Sequence, residues 1–204
     1  VIINTAIYDW GIYLPNNPCK MIKRSKEPAP RLRVLEDEEY DRLLKASKEV
    51  DLIYLENAFV FSIETCVRQG ELLNARWEHI NFKKQTLFIP DTKTGYLSKE
   101  STSERTIPLS KLAIITLNKL PRHISGRIFP ITRDQLNQKW KLAKKKAKIK
   151  NYRWHDNRST GISWCFEKKN LNVAEVMTIS GHRSPTILLK RYTKLNPTKI
   201  AMKI

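Results

Sequence analysis

Two short β-branched runs, TLFIP at 86–90 and RTIPL at 105–109, interrupt a chain whose apolar residues otherwise recur at helical spacing. That change of period constrains the fold more than any other feature. Runs of this length can pair only into a small sheet, with a further short strand near Ile80, so helices must supply most of the core. Upstream, LEDEEYDRLLKAS starts a helix, with Glu36, Asp37, Glu38 and Glu39 near its positive end and Leu43 and Leu44 on its apolar face. A second helix is expected over about 51–66, running straight into TCVRQGELL. Downstream of the strands the helical pattern returns at Leu112, Ile115, Leu117 and Leu120. It continues over 133–150 behind Thr132 as N-cap, then over 155–168 and 172–180, where Gly181 ends the helix, and a last helix carries Tyr192. The fold class is therefore mainly α with a small antiparallel β-sheet (α+β).

The N-terminal stretch is organised differently. Residues 1–13 read as the end of an amphipathic helix that LPNNP breaks, and KMIKRSKEPAPR at 20–31 is a basic, Pro-containing linker. The chain opens on Val1 in mid-pattern, which reads as a fragment of a longer protein.

Charge narrows the partner. Lys and Arg total 38 against 20 Asp and Glu, a net +18, and such an excess fits a polyanion, nucleic acid before a membrane surface. No apolar run approaches the roughly 20 residues of a membrane span. Three widely spaced cysteines, Cys19, Cys66 and Cys165, make no disulfide framework and fit a reducing cytoplasm, with Cys66 as a small buried filler. With six glycines and no phosphate-binding glycine loop, a nucleotide-binding fold is not expected, and no carboxylate cluster or Cys/His spacing for a metal is present.

Five motifs carry the chemistry: TCVRQGELL, TKTG, WHDNR, SGHR and LLKRYTK. They hold Arg68, Lys93, His155, Arg158, His182 and Tyr192. Taken singly, each has a plainer explanation. Arg68 could simply pair with Glu64 or Glu71, Lys93 could be a solvated turn residue, and His182 could be a capping or core histidine. Together they supply two guanidiniums, an ammonium, two imidazoles and a phenol, a set suited to a tyrosine attacking a DNA phosphodiester without metal or nucleotide cofactor. The lysines of 133–150, among them Lys139, Lys141, Lys144 and Lys145, are too many for one stripe and suit either solvent or a DNA backbone.

The order and spacing of these motifs resemble the tyrosine recombinase (phage integrase) family over roughly residues 31–196. T-x-x-R-x-G-E-L-L followed by W-x-x-I resembles the first arginine box, and H-x-x-R the second signature. The resemblance implies a tyrosine recombinase catalytic-domain fold over 31–204, behind a 21–30 linker, with 1–20 as the remnant of a core-binding, SAM-like DNA-binding domain. It implies roles as well. Tyr192 is the nucleophile, ahead of Tyr152 and Tyr96. Arg68 and Arg158 clamp the non-bridging oxygens, and Lys93, ahead of Lys99, protonates the leaving 5′-oxygen. His155 accepts a hydrogen bond from the phenol or the phosphate, His182 donates to the phosphate, and Glu71 buttresses the site. The sequence departs from the pattern at Asn157 and Ser159, and at ten rather than nine residues from His182 to Tyr192, a difference the Ser184–Pro185 loop could absorb.

The implied activity is site-specific recombination of double-stranded DNA through a covalent 3′-phosphotyrosyl intermediate, by a cytoplasmic, nucleoid-associated protein encoded by a bacterium, a phage or another mobile genetic element. The expected assembly is a homo-tetramer on DNA and a monomer or weak oligomer when free, with the tail LNPTKIAMKI docking on a protomer. A type IB topoisomerase shares the residue set, and a decayed relative that only binds DNA is the non-enzymatic reading.

Overall fold

The computed structural model describes residues 2–23, 31–90 and 104–192. The chain divides into two compact units, 1–31 and 32–204. In the first, helix α1 (Ile2–Tyr8) precedes a 3₁₀ turn, Pro18–Met21. Asn17 caps that turn by accepting from the Cys19 amide at 2.9 Å, and its own amide donates to Asn4 at 2.7 Å.

The second unit is helical around one small sheet. Helices α2 (Asp37–Lys48), α3 (Leu55–Thr65) and α4 (Gln69–Asn74) lead to β1 (Ile80–Asn81), β2 (Thr86–Ile89) and β3 (Arg105–Pro108). Helices α5 (Lys111–Asn118), α6 (Arg133–Lys146), α7 (Asp156–Glu167), α8 (Val173–Ser180) and α9 (Pro185–Tyr192) follow. The strands pair antiparallel in chain order, with Leu87 opposite both Ile80 and Ile107. Strand alternation then puts Leu87, Ile89 and Ile107 into the core.

Helix α3 is the central post. Leu55, Ala58, Phe59 and Phe61 are fully buried along it, and aromatic contacts join Phe59 to Trp140 of α6 and Phe61 to Phe129. A smaller cluster, Cys66, Ile162, Cys165, Val176, Ile179 and Leu188, packs α7, α8 and α9 together. Between the two clusters α7 crosses α3 at Gly161. A Cβ there would stand 2.2 Å from the Ile63 carbonyl oxygen and 2.8 Å from Cys66 Sγ, so only a glycine allows the approach.

The expected elements are found, with instructive differences. Helix α3 does not run into the arginine motif. Cys66 turns left-handed at φ 54°, Val67 and Arg68 are not helical, and α4 begins afresh at Gln69. The periodicity alone could not show this break, because no Gly or Pro marks it. The apolar stripe expected on α5 holds at Leu117, and at Leu120 just past the helix, but Leu112 and Ile115 are exposed while Ala113 and Thr116 are buried. Thr132 caps α6 as expected, its hydroxyl accepting from the Gln135 amide at 3.2 Å while Gln135 Oε1 accepts from the Thr132 amide at 2.9 Å.

Candidate active site

Arg158 organises the site. It lies in the first turn of α7 and is 5% exposed. Its Nη1 donates to the Cys66 carbonyl and its Nη2 to the Ser180 carbonyl, each at 2.6 Å. Cys66 stands two residues before Arg68, and Ser180 two residues before His182. One guanidinium therefore ties three motifs that are far apart in the sequence. The acceptors exist because two helices end there: the left-handed residues Cys66 and Gly181 close α3 and α8 beside the guanidinium. Burial, and secondly the nearby guanidinium of Arg68, push the Arg158 pKa down to about 10. At neutral pH it still carries its charge.

Arg68 occupies the cap position of α4 and keeps 46% of its side chain exposed. Its Nη1 donates to Glu71 Oε1 at 2.7 Å, and its backbone amide donates to Glu71 Oε2 at 2.8 Å. The pairing with Glu71 that could have been an alternative to a functional Arg68 is thus the device that orients it. Glu71 itself is buried. A second cation reaches it: Arg105, the first residue of β3, donates Nη1 to Oε1 at 3.0 Å and Nη2 to Oε2 at 2.9 Å. Burial alone would raise the Glu71 carboxyl, but the Arg105 fork and the Arg68 donors outweigh it and bring the pKa down to about 2.

His182 follows the left-handed Gly181 (φ 69°) and is half-buried. Its Nδ1 lies 2.7 Å from the hydroxyl of Ser180, so one residue fixes both the imidazole and, through its carbonyl, Arg158. His155 precedes α7 and is exposed, three residues from the buried Arg158. Tyr192 is the last described residue of α9, whose Leu188 packs in the α7–α8 cluster. The Tyr192 side chain, Lys93, Lys99, Tyr96 and the 195–204 tail lie outside the described residues.

Tyr152 is not a competing nucleophile. It is fully buried, its hydroxyl donates to Asn157 Oδ1 at 2.8 Å and lies 3.0 Å from Thr160 Oγ1, and burial pushes its phenol far above the usual range. The same bond accounts for Asn157, where the family pattern has an apolar residue: the amide satisfies a buried phenol. Cys66 is fully buried, and its contact with Cys165 and its burial push its thiol up.

The lysines of α6 divide by face. Gln69 Nε2 donates to Asn137 Oδ1 at 2.8 Å, which turns the Asn137 side of α6 toward α4 and Arg68. Lys141 and Lys144 continue that side at helical spacing, with Lys145 at its edge. Lys139 lies on the far flank, 3.9 Å from Asp51, and Lys146 stands 3.4 Å from Glu49.

Sequence reasoning missed Arg105 and Ser180. A signal existed for each: RTIPL puts an arginine at the start of an apolar strand, and SGHR puts a hydroxyl two residues before the histidine. Among the described residues no His, Cys, Asp or Glu group is gathered as for a metal ion, and no helix is long and apolar enough to cross a membrane.

Comparison with known proteins gives the family and the fold. The phage integrase family model matches residues 33–199, and the chain belongs to that family. It is 34% identical to a shufflon-specific DNA recombinase of Escherichia coli, over all of this chain and 50% of the relative. It is 23% identical to the integrase of Salmonella phage P22, over 98% of this chain and 52% of that protein. The chain thus spans about half the length of these relatives. Among solved structures it matches a lambda integrase dimer bound to a COC′ core site, with TM-score 0.71, 18% identity, and coverage of 92% of this chain and 55% of that one. The catalytic domain of bacteriophage HP1 integrase matches with TM-score 0.63 and 20% identity, over 85% of this chain and 95% of that domain. At such identities these two likenesses establish the fold.

Proposed function

We propose that this chain is the catalytic part of a site-specific DNA recombinase that cleaves and rejoins duplex DNA through Tyr192, without metal or ATP. The observation that carries the reading is Arg158, whose guanidinium joins the backbone beside Arg68 to the backbone beside His182. This supports reading Arg68, Arg158 and His182 as one phosphate-binding group in a chain of the phage integrase family.

The chemistry follows from the groups. A free phenol, with a pKa of about 10, is a poor nucleophile at neutral pH. Arg68 and Arg158 hold the two non-bridging oxygens, where planar donors are strongest, and stabilise the charge of the pentacoordinate transition state. Tyr192 Oη bonds to phosphorus as the bond to the 5′-oxygen breaks. The phenolic proton passes toward His155 or solvent, and Lys93 protonates the departing 5′-oxygen. A Ser180 hydroxyl that donates to Nδ1 would leave Nε2 of a neutral His182 as the donor to the phosphate. The product is a 3′-phosphotyrosyl ester and a free 5′-hydroxyl, and attack by a 5′-hydroxyl of another strand reverses the step.

Double-stranded DNA is the partner, and the net +18 supplies its long-range attraction. The face of α6 that bears Asn137, Lys141 and Lys144 lies on the Arg68 side and is the one we assign to the duplex, with Lys145 at its edge and Lys139 as a peripheral contributor. Residues 1–20 are assigned to the end of a core-binding domain, 21–30 to the linker and 31–204 to the catalytic domain. The working assembly is a homo-tetramer on DNA, in the cytoplasm.

The test is strand exchange. The complete protein, given two duplexes with candidate attachment sequences in chelator and without ATP, should yield recombinant duplexes. Relaxation of supercoiled DNA with no exchange between duplexes would assign the site to a topoisomerase instead. Salt-sensitive binding without either product would make it a binding-only relative.

A further inference from the structure

The six-residue set leaves Arg105 without a role, yet the structure gives it a demanding position. Glu71 receives four donors on two oxygens: Arg68 Nη1 and Arg105 Nη1 on Oε1, and the Arg68 amide and Arg105 Nη2 on Oε2. That fills the acceptor capacity of a carboxylate. The two guanidiniums differ in exposure. Arg68 keeps 46% of its side chain open, whereas Arg105 keeps 12%. Arg105 is also fitted to the third motif. A Cβ at Gly181 would lie 2.8 Å from Arg105 Nε and 2.9 Å from its Cδ, so the arginine rests against the backbone just before His182. Its Nε is buried with no hydrogen-bond partner among the described residues, a cost that the fork on Glu71 must offset.

We propose that Arg105 is a positioning residue for the reaction: it takes up the Glu71 carboxylate, so that Glu71 can orient Arg68 without neutralising it. Two cations sharing one anion leave a net positive charge, and the exposed member, Arg68, carries it where a phosphate would bind. Without Arg105 the same carboxylate would be a one-to-one partner of Arg68. The charged groups around Glu71 are Arg68, Arg105 and, more remotely, Arg158. This role rests on the recombinase reading of the site.

The test pairs a rate with a titration. In single-turnover cleavage of a nicked duplex by the complete protein, Arg105→Gln should slow adduct formation about 10- to 100-fold, the scale of a lost electrostatic contribution, with DNA affinity within about twofold. Adding Glu71→Gln should recover roughly tenfold of the loss, because the neutralising charge is then gone. Arg105→Lys, which keeps the charge but not the fork, should fall between and guards against a folding defect. In parallel, carboxylate NMR of the free protein should find Glu71 titrating at a higher pH in Arg105→Gln than in the wild type. A double variant no faster than Arg105→Gln, or a Glu71 titration that does not move, would overturn the role. Wild-type protein that cleaves no duplex while Glu71 shifts as described would overturn the recombinase reading, and with it the positioning role, but would leave the charge sharing in place.

Discussion

Arg158 and Lys141 carry the same charge in opposite surroundings. Arg158 is buried at the meeting of three helix ends and fixed by two carbonyls. Lys141 stands in solvent on a helix whose last turn adds Lys144, Lys145 and Lys146. The first arrangement fixes a cation before any substrate arrives, so little reorganisation remains at the moment of reaction. The second leaves flexible, hydrated charges that act over distance and weaken with salt. In the proposed reading, catalysis and attraction fall to a buried cation and an exposed helix face respectively, and single substitutions should separate them.

The largest effect is expected at the buried cation. Arg158→Ala should lower the cleavage rate about 100- to 1,000-fold, because the transition state loses a fixed donor. It should also lower stability by about 2–4 kcal/mol, because two buried carbonyls lose their partner. Stopped single-turnover assays and denaturant melts read the two losses. Next comes the close crossing of α3 and α7. Gly161→Ala should cost about 3 kcal/mol, since the new methyl meets a backbone oxygen that cannot yield, and a drop in thermal midpoint would record it.

Glu71 gives a pH signature. Its folded pKa of about 2 lies below the ordinary 4.5, so the stability it contributes is complete above about pH 4.5 and is lost as pH falls toward 2. The difference in melting temperature between wild type and Glu71→Gln should be constant down to about pH 5 and shrink below it. A difference that is unchanged from pH 6 to pH 3 would contradict the assignment.

The smallest effects belong to α6. Lys141→Gln and Lys144→Gln should each reduce the slope of log affinity against log salt by about one, leaving the rate on bound DNA unchanged. Lys139→Gln should change the slope less, because Lys139 lies on the opposite flank beside Asp51. Equal effects from all three would erase the distinction between the faces.

How much of this was legible beforehand follows the same division. The small sheet, Thr132 as a cap and Gly181 as a helix end could be read because each has a local cause: a period of two, a hydroxyl before a helix, a residue that tolerates positive φ. Arg68, Arg158 and His182 could be named from motif order. Their mutual placement could not, because it depends on carbonyls freed where helices end, and Cys66 gives no warning of a left-handed turn. Arg105 escaped for a related reason. Its partner Glu71 is 34 residues away, and nothing in RTIPL shows that a buried carboxylate waits for it. Lysine-rich α6 announced its charge clearly, but the facing of its two sides had to come from the Gln69–Asn137 contact.

The most direct measurement is the covalent intermediate. The complete protein and its Tyr192→Phe variant would be incubated with nicked duplexes bearing candidate attachment sequences, denatured in SDS, and the DNA-linked peptide mapped. The account predicts a wild-type adduct on Tyr192 through a 3′-phosphate, and no adduct from a variant that still binds the same DNA. An adduct that persists in Tyr192→Phe, or that maps to another residue, would contradict it.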